Sequence, residues 1–261
     1  PYVFIAGEPA IMGQETPIPG GSGTYLYVDA GHDGNILTLK DATINKTSNN
    51  DTNAIKFTDA GTYTVNLEGT NKMSGVGTGI LAANVKGEAI DVIISGSGSL
   101  DISARSRTIE VSGNLTFNNT GTINLKTTNT ASSSINAIKV SGDISIGDDF
   151  NKNLRITADN GDMTFDPTNQ YTDYNDLKNY KSITIAPKPS ETYYNGTAMK
   201  YGETRNAGSG TISCDENGVI TLNGATEGTL EFRSSADSTL VLEGTNTLSS
   251  IVTTQKGLTI S

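Results

Sequence analysis

Residues 108–126 read TIEVSGNLTFNNTGTINLK, and residues 137–146 read AIKVSGDISI. The segment Val111–Phe117 of the first becomes Val140–Ile146 of the second, 29 residues later. Each is a short strand, a Ser-Gly-Asn or Ser-Gly-Asp turn and a second short strand. A supersecondary unit repeated at this period belongs to an architecture in which each unit buries its apolar face against its neighbours.

Working outward, apolar residues two apart recur along the chain, which is the period of a strand. They sort into three families. The first holds Ile55/Phe57, Ile80, Ile109/Val111, Ile138/Val140 and Met163/Phe165. The second holds Leu37/Leu39, Val65/Leu67, Val92/Ile94, Leu115/Phe117, Ile144/Ile146 and Ile183/Ile185. The third holds Ile44, Met73, Leu100/Ile102, Ile123/Leu125 and Leu154/Ile156. Helical stripes of useful length are absent. The pattern predicts an all-β chain: a single-stranded parallel β-helix with three sheets and about nine turns, each advancing about 4.8 Å. The general rule for parallel crossovers makes it right-handed. Glycine at the turns is expected to supply positive φ, which Asn and Asp also tolerate.

A larger repeat overlies the small one. Tyr63–Ser74 (YTVNLEGTNKMS) recurs as Ser238–Ser249 (STLVLEGTNTLS), Ile36–Thr43 (ILTLKDAT) as Val219–Thr226 (VITLNGAT), and Gly21–Thr24 as Gly208–Thr211. Two units follow, 1–187 complete and 188–261 a partial copy continuous with it. The match runs out in mid-unit, so an open last turn, with end-to-end contacts through it, is expected.

Composition narrows the function. Only 34% of the residues are hydrophobic, which suits a thin inner apolar column. The net charge of −10 argues against nucleic acid, whose backbone needs a basic face. No apolar run is long enough for a membrane-spanning helix, so membrane insertion is not expected. The opening PYVFIAGEPA lacks a basic region followed by an apolar stretch, so no signal peptide is expected in this sequence. One cysteine (Cys214) and one histidine (His32) exclude an internal disulfide and a Cys/His zinc site. Cys214 reads as a small buried hydrophobe.

With the units laid out as Ile36–Ile44, Tyr63–Met73 and Val92–Leu100, the chain resembles repetitive secreted and cell-surface β-helix proteins of gut and anaerobic bacteria, similar to carbohydrate-binding β-helix repeats. The resemblance implies a parallel β-helix, an extracellular or cell-surface location, and a polysaccharide or a host or microbial surface glycan as partner, with calcium in some similar proteins. The motif residues occupy core and turn positions, so no ligand contact carries over.

Residues outward between the inward pairs test for catalysis. The second family presents Thr38, Asn66, Ile93, Thr116, Ser145 and Thr184; the first Lys56, Glu110, Lys139 and Thr164; the third Asp101, Asn124 and Arg155. No face gathers the two carboxylates that glycoside chemistry needs. No catalytic residue is assigned, and the expected function is non-enzymatic: an adhesin or glycan-binding module. A structural stalk of a longer repeat protein and a polysaccharide lyase or hydrolase are the alternatives. Calcium, which takes oxygen ligands from flexible loops, is the one cofactor suggested, at Asp148 and Asp149 and at Asp159 and Asp162. The segment 166–180 (DPTNQYTDYNDLKNY) mixes aromatic rings with amides and carboxylates, so Tyr171, Asp173, Tyr174, Asn175 and Tyr180 are the expected glycan contacts; the competing reading is a lid packed over the core.

Overall fold

The computed structural model describes residues 3–29, 34–45, 53–84, 86–129, 132, 135–147, 154–159, 164–165, 174–187, 189–215, 218–233, 238–254 and 257–261. The chain is all-β, with 62% of its residues in strands and 3% helical. It divides into two compact units, Pro1–Ala186 and Pro187–Ser261.

In the first unit the strands are β1 (Val3–Ile5), β2 (Glu8–Pro9), β3 (Glu15–Pro17), β4 (Ser22–Val28), β5 (Asn35–Asn45), β6 (Asn53–Phe57), β7 (Gly61–Glu68), β8 (Thr70–Val76), β9 (Thr78–Ala82), β10 (Ile90–Gly96), β11 (Ser99–Ala104), β12 (Ile109–Val111), β13 (Leu115–Asn119), β14 (Ile123–Thr127), β15 (Ile138–Val140), β16 (Ile144–Ile146), β17 (Leu154–Asp159), β18 (Thr164–Phe165) and β19 (Ser182–Pro187), with a 3-10 helix at Tyr174–Asn179. The second unit holds β20 (Pro189–Tyr194), β21 (Thr197–Lys200), β22 (Thr204–Ala207), β23 (Gly210–Cys214), β24 (Ile220–Asn223), β25 (Thr229–Phe232), β26 (Ser238–Glu243), β27 (Ser250–Thr253) and β28 (Leu258–Ile260).

The apolar families become three parallel stacks in unit 1. The first runs β6, β9, β12, β15, with Ile55, Ile80, Ile109 and Ile138 in one column. The second runs β5, β7, β10, β13, β16. The third runs from the end of β5 through β8, β11 and β14, with Ile44 opposite Met73 and Met73 opposite Ile102. Burying an Ile, Leu or Phe is worth about 2 kcal/mol, so even three-residue strands with two inward residues stay in register. The inward residues form one core, in which Phe57 stacks on Tyr63 with ring centroids 4.4 Å apart.

The architecture departs from an unbroken parallel coil, because the sheets are several and mixed. Antiparallel strands cover the column ends. β1 lies antiparallel on β6, and β2 on β1. β4 lies antiparallel on β5, and β3 on β4. At the far end β19 lies antiparallel on β14, placing Ile183 and Ile185 against Leu125 and Ile123 of the third stack, not on the second family. β17 sits beyond β19 and carries Ile156 into the core, so it does not rest directly on β14. Met163 lies outside the described residues.

Register in the second stack also differs. Val65 faces Ile94, and Ile94 faces Phe117; Tyr63 begins the neighbouring column over Asn35 and under Val92. A slip of two keeps every side chain on its face, so alternation cannot detect it.

Unit 2 repeats the opening of unit 1. Its β20–β21 hairpin lies antiparallel on β25, and β22–β23 lie antiparallel on β24, as β1–β2 and β3–β4 do. Parallel pairs follow, β24 with β26, β26 with β28, and β25 with β27. A smaller core runs from Tyr194 to Leu240 and includes the buried Cys214.

Candidate binding face

The Val-Ser-Gly turns hold the stacks together by a means other than positive φ. Neither Gly113 nor Gly142 has positive φ. Both are pressed by the preceding turn: a Cβ on Gly113 would come within 2.2 Å of Asp91 Oδ1, and one on Gly142 within 2.3 Å of Asn114 Oδ1. The crowding atoms are themselves caps. Asp91 Oδ1 accepts from the Asn114 amide (2.6 Å), and Asn114 Oδ1 accepts from the Asp143 amide (2.9 Å). Asn175 then accepts from the Ile144 amide (3.1 Å) and donates to Asp143 Oδ1 (3.1 Å).

Asn175, an expected glycan contact, is therefore the last rung of a side-chain ladder. The rest of its helix covers the column end. Leu177 is fully buried, Lys178 Nζ donates to the Gly142 carbonyl (2.6 Å), and the Tyr180 carbonyl accepts from the Ala137 amide (2.8 Å). Tyr174 is half-buried and packs against the core, and burial pushes its phenol pKa up. Tyr180 is 9% exposed. Tyr171 and Asp173 lie outside the described residues. So do Asp148, Asp149 and Asp162, while Asp159 ends β17. Among the described residues no three His, Cys, Asp or Glu side chains gather as a metal group. His32 is outside them as well.

Three carboxylates elsewhere are tied to cations. Glu110 meets Lys139 Nζ at 2.7 Å and Arg107 Nε at 3.8 Å. Glu203 is gripped by Arg205 through two contacts of 2.8 Å and by the Lys200 amide at 2.7 Å; the guanidinium holds its pKa below the usual range. Glu231 is lowered in the same way by Arg233, whose guanidinium lies 3.9 Å over the Tyr193 ring. Tyr201 is raised, chiefly by burial and then by the nearby Cys214 and Glu191.

The outward rows of the second stack are more distinctive. The expected single row divides in two. One runs Ile36, Thr64, Ile93, Thr116, Ser145, with Thr116 and Ser145 hydroxyls 2.9 Å apart. The other runs Glu15, Leu26, Thr38, Asn66, Ser95, Asn118 across six strands. In it Asn66 donates to Thr38 (3.4 Å) and Ser95 donates to Asn66 (3.5 Å). Thr184 belongs to neither; it donates to Asn124 on the third stack (3.0 Å).

Beside the start of the second row lies a third, Thr24, Lys40, Glu68. The two rows enclose a shallow cleft of about 140 Å³ lined by Glu15, Thr24, Leu26, Thr38, Lys40 and Glu68. Thr24 donates to Glu15 Oε1 (2.6 Å), which fixes that carboxylate at the rim. The cleft offers two carboxylates, a primary ammonium, two hydroxyls and one apolar side chain. It is well below the roughly 300 Å³ at which enclosed ligand pockets begin. Its residues come from four strands spread over 54 positions, from Glu15 to Glu68, and only the alternation around Tyr25 and Tyr27 hints that Thr24 and Leu26 face outward. No protein-family model, no curated protein and no solved structure matches the chain.

Proposed function

We propose that the chain is a non-catalytic, extracellular or cell-surface β-solenoid module that binds a glycan on the outer face of its second stack. The solenoid reading rests on the three parallel stacks of unit 1, with the antiparallel strands acting as covers at their ends. The observation that carries the binding reading is the continuity of the cleft with the row Thr38, Asn66, Ser95, Asn118. Strands about 4.8 Å apart offer one hydroxyl or amide per strand, a spacing close to that of successive sugar rings. A saccharide in the cleft would donate hydroxyl protons to Glu15 and Glu68, accept from Lys40, and rest its apolar face on Leu26.

The test is a glycan array with plant, host and microbial saccharides, with and without calcium, followed by calorimetry on any hit. Glu15→Ala and Lys40→Ala are expected to weaken binding about tenfold each, one charged hydrogen bond being worth about 1.5 kcal/mol. Lys126→Ala, on the third stack, leaves it unchanged. Unit 2 has Thr204 and Asn223 where the cleft has Glu15 and Lys40, so one site per chain is expected. An array without any hit leaves the stalk reading, and sustained release of reducing ends from a polysaccharide replaces binding with catalysis.

A further inference from the structure

The charges of the cleft are left open. Lys40 of β5 stands directly opposite Glu68 of β7, yet among the described residues neither belongs to an ion pair. The same register position in unit 2 is closed: Asn223 of β24 faces Glu243 of β26 and donates to its carboxylate (2.9 Å). Across the cleft, Glu15 accepts from the Thr24 hydroxyl (2.6 Å). A carboxylate has about four acceptor sites, so that bond leaves most of its capacity unused. Glu15, Lys40 and Glu68 are all exposed.

The surroundings are acidic. Asp41, next in the chain to Lys40, holds its carboxylate on the Thr70 amide (2.9 Å), against Gly69. Three carboxylates therefore stand around one ammonium. The outward residues that follow, Thr64, Asn66, Ile93, Ser95, Thr116 and Asn118, are uncharged. Such a rim repels a carboxylate, sulfate or phosphate and attracts a cation. The net charge of −10 adds a field of the same sign at longer range.

We infer that the cleft selects a saccharide that carries a free primary amine, an amino sugar without an N-acyl group. The inference rests on the glycan reading and names its ligand class. The ammonium of such a sugar offers three N–H donors to the carboxylates of Glu15 and Glu68, while Lys40 donates to a ring hydroxyl and Leu26 meets the apolar face. N-acylation removes the ligand's charge, and a uronic acid brings a charge of the wrong sign.

Calorimetry with linear oligomers of glucosamine, N-acetylglucosamine and galacturonic acid, equal in length, tests it. The glucosamine oligomer should bind about tenfold tighter than the N-acetylated one, each exposed carboxylate adding a factor of up to about five. The uronate should bind weakest. Added salt should shrink the tenfold preference to about twofold, because exposed charges are screened. Glu15→Gln and Glu68→Gln keep an oxygen acceptor for a hydroxyl and lose the charge. Each should weaken the glucosamine oligomer about fourfold and leave the N-acetylated one within about twofold. Asp101→Asn removes one exposed carboxylate from the third stack, changes the net charge equally, and should move neither. Equal affinity for the amine and its N-acetyl form, a tighter uronate, or a preference that Asp101→Asn lowers as much as Glu68→Gln would each overturn the inference while the glycan reading stands. So would a hit on the glycan array with none of the three oligomers bound. No saccharide bound in either experiment would remove both.

Discussion

The side chain of Asn71 is fully buried and joins three successive turns: Oδ1 accepts from the Ala42 amide (3.0 Å), and Nδ2 donates to the carbonyls of Glu68 (3.1 Å) and Ser99 (3.2 Å). Its counterpart Asn246 is half-exposed; it accepts from the Ala225 amide (2.8 Å) and donates to Glu243 (3.0 Å) and Gly244 (3.4 Å). A buried polar group left without a partner costs about 1–3 kcal/mol, and water satisfies an exposed one. Asn71→Ala is therefore expected to lower unit 1 stability by about 3 kcal/mol, and Asn246→Ala to lower that of unit 2 by about 1 kcal/mol. Urea unfolding followed by amide exchange in each unit measures both; equal losses would refute the link between burial and cost. The same repeat places Asp41 and Gly224 at one left-handed position, with φ of 48° and 60°. Asp41 tolerates it because its carboxylate caps the Thr70 amide (2.9 Å). The repeat KDAT/NGAT was legible in the sequence, but the role of Asn71 was not, since nothing local distinguishes a bridging amide from a turn residue.

At the scale of elements, alternation told inside from outside and little more. Ile55, Ile80, Ile109 and Ile138 align as their pattern implies. The direction of Ile183–Ile185 and the two-residue slip in the second stack did not show, because period two is unchanged by reversing a strand or shifting it by two. The hairpin covers were half visible. Asn195-Gly196, with φ of 49° and 75°, is a strong two-residue turn signal, whereas Ala6-Gly7, with φ of 52° and 86°, makes the same turn from a sequence that does not advertise it. The Tyr-rich segment drew attention by composition, yet its described part works through Asn175 and Leu177 as a cover. The cleft was hidden because strand pairing, not sequence proximity, assembles it. Leu177→Ala is expected to cost about 3 kcal/mol through the cavity it leaves over β15 and β16. Proteolysis or amide exchange should show Ile138–Ile146 opening first in that variant, with β5–β8 unaffected; uniform loosening of unit 1 would mean that the helix is not a local cover.

For the whole molecule the consequence is two folding units of unequal support. Unit 1 surrounds a long core, whereas unit 2 has a smaller one. Small cores are marginal because they bury a smaller share of their surface, so unit 2 should melt first. Scanning calorimetry should resolve two transitions. Leu230→Ala, at a fully buried position of the smaller core, removes about 3 kcal/mol and should lower the first transition by about 10 °C or more while the upper one stays fixed. A single transition, or an upper transition that moves with Leu230→Ala, would mean that the two cores unfold together.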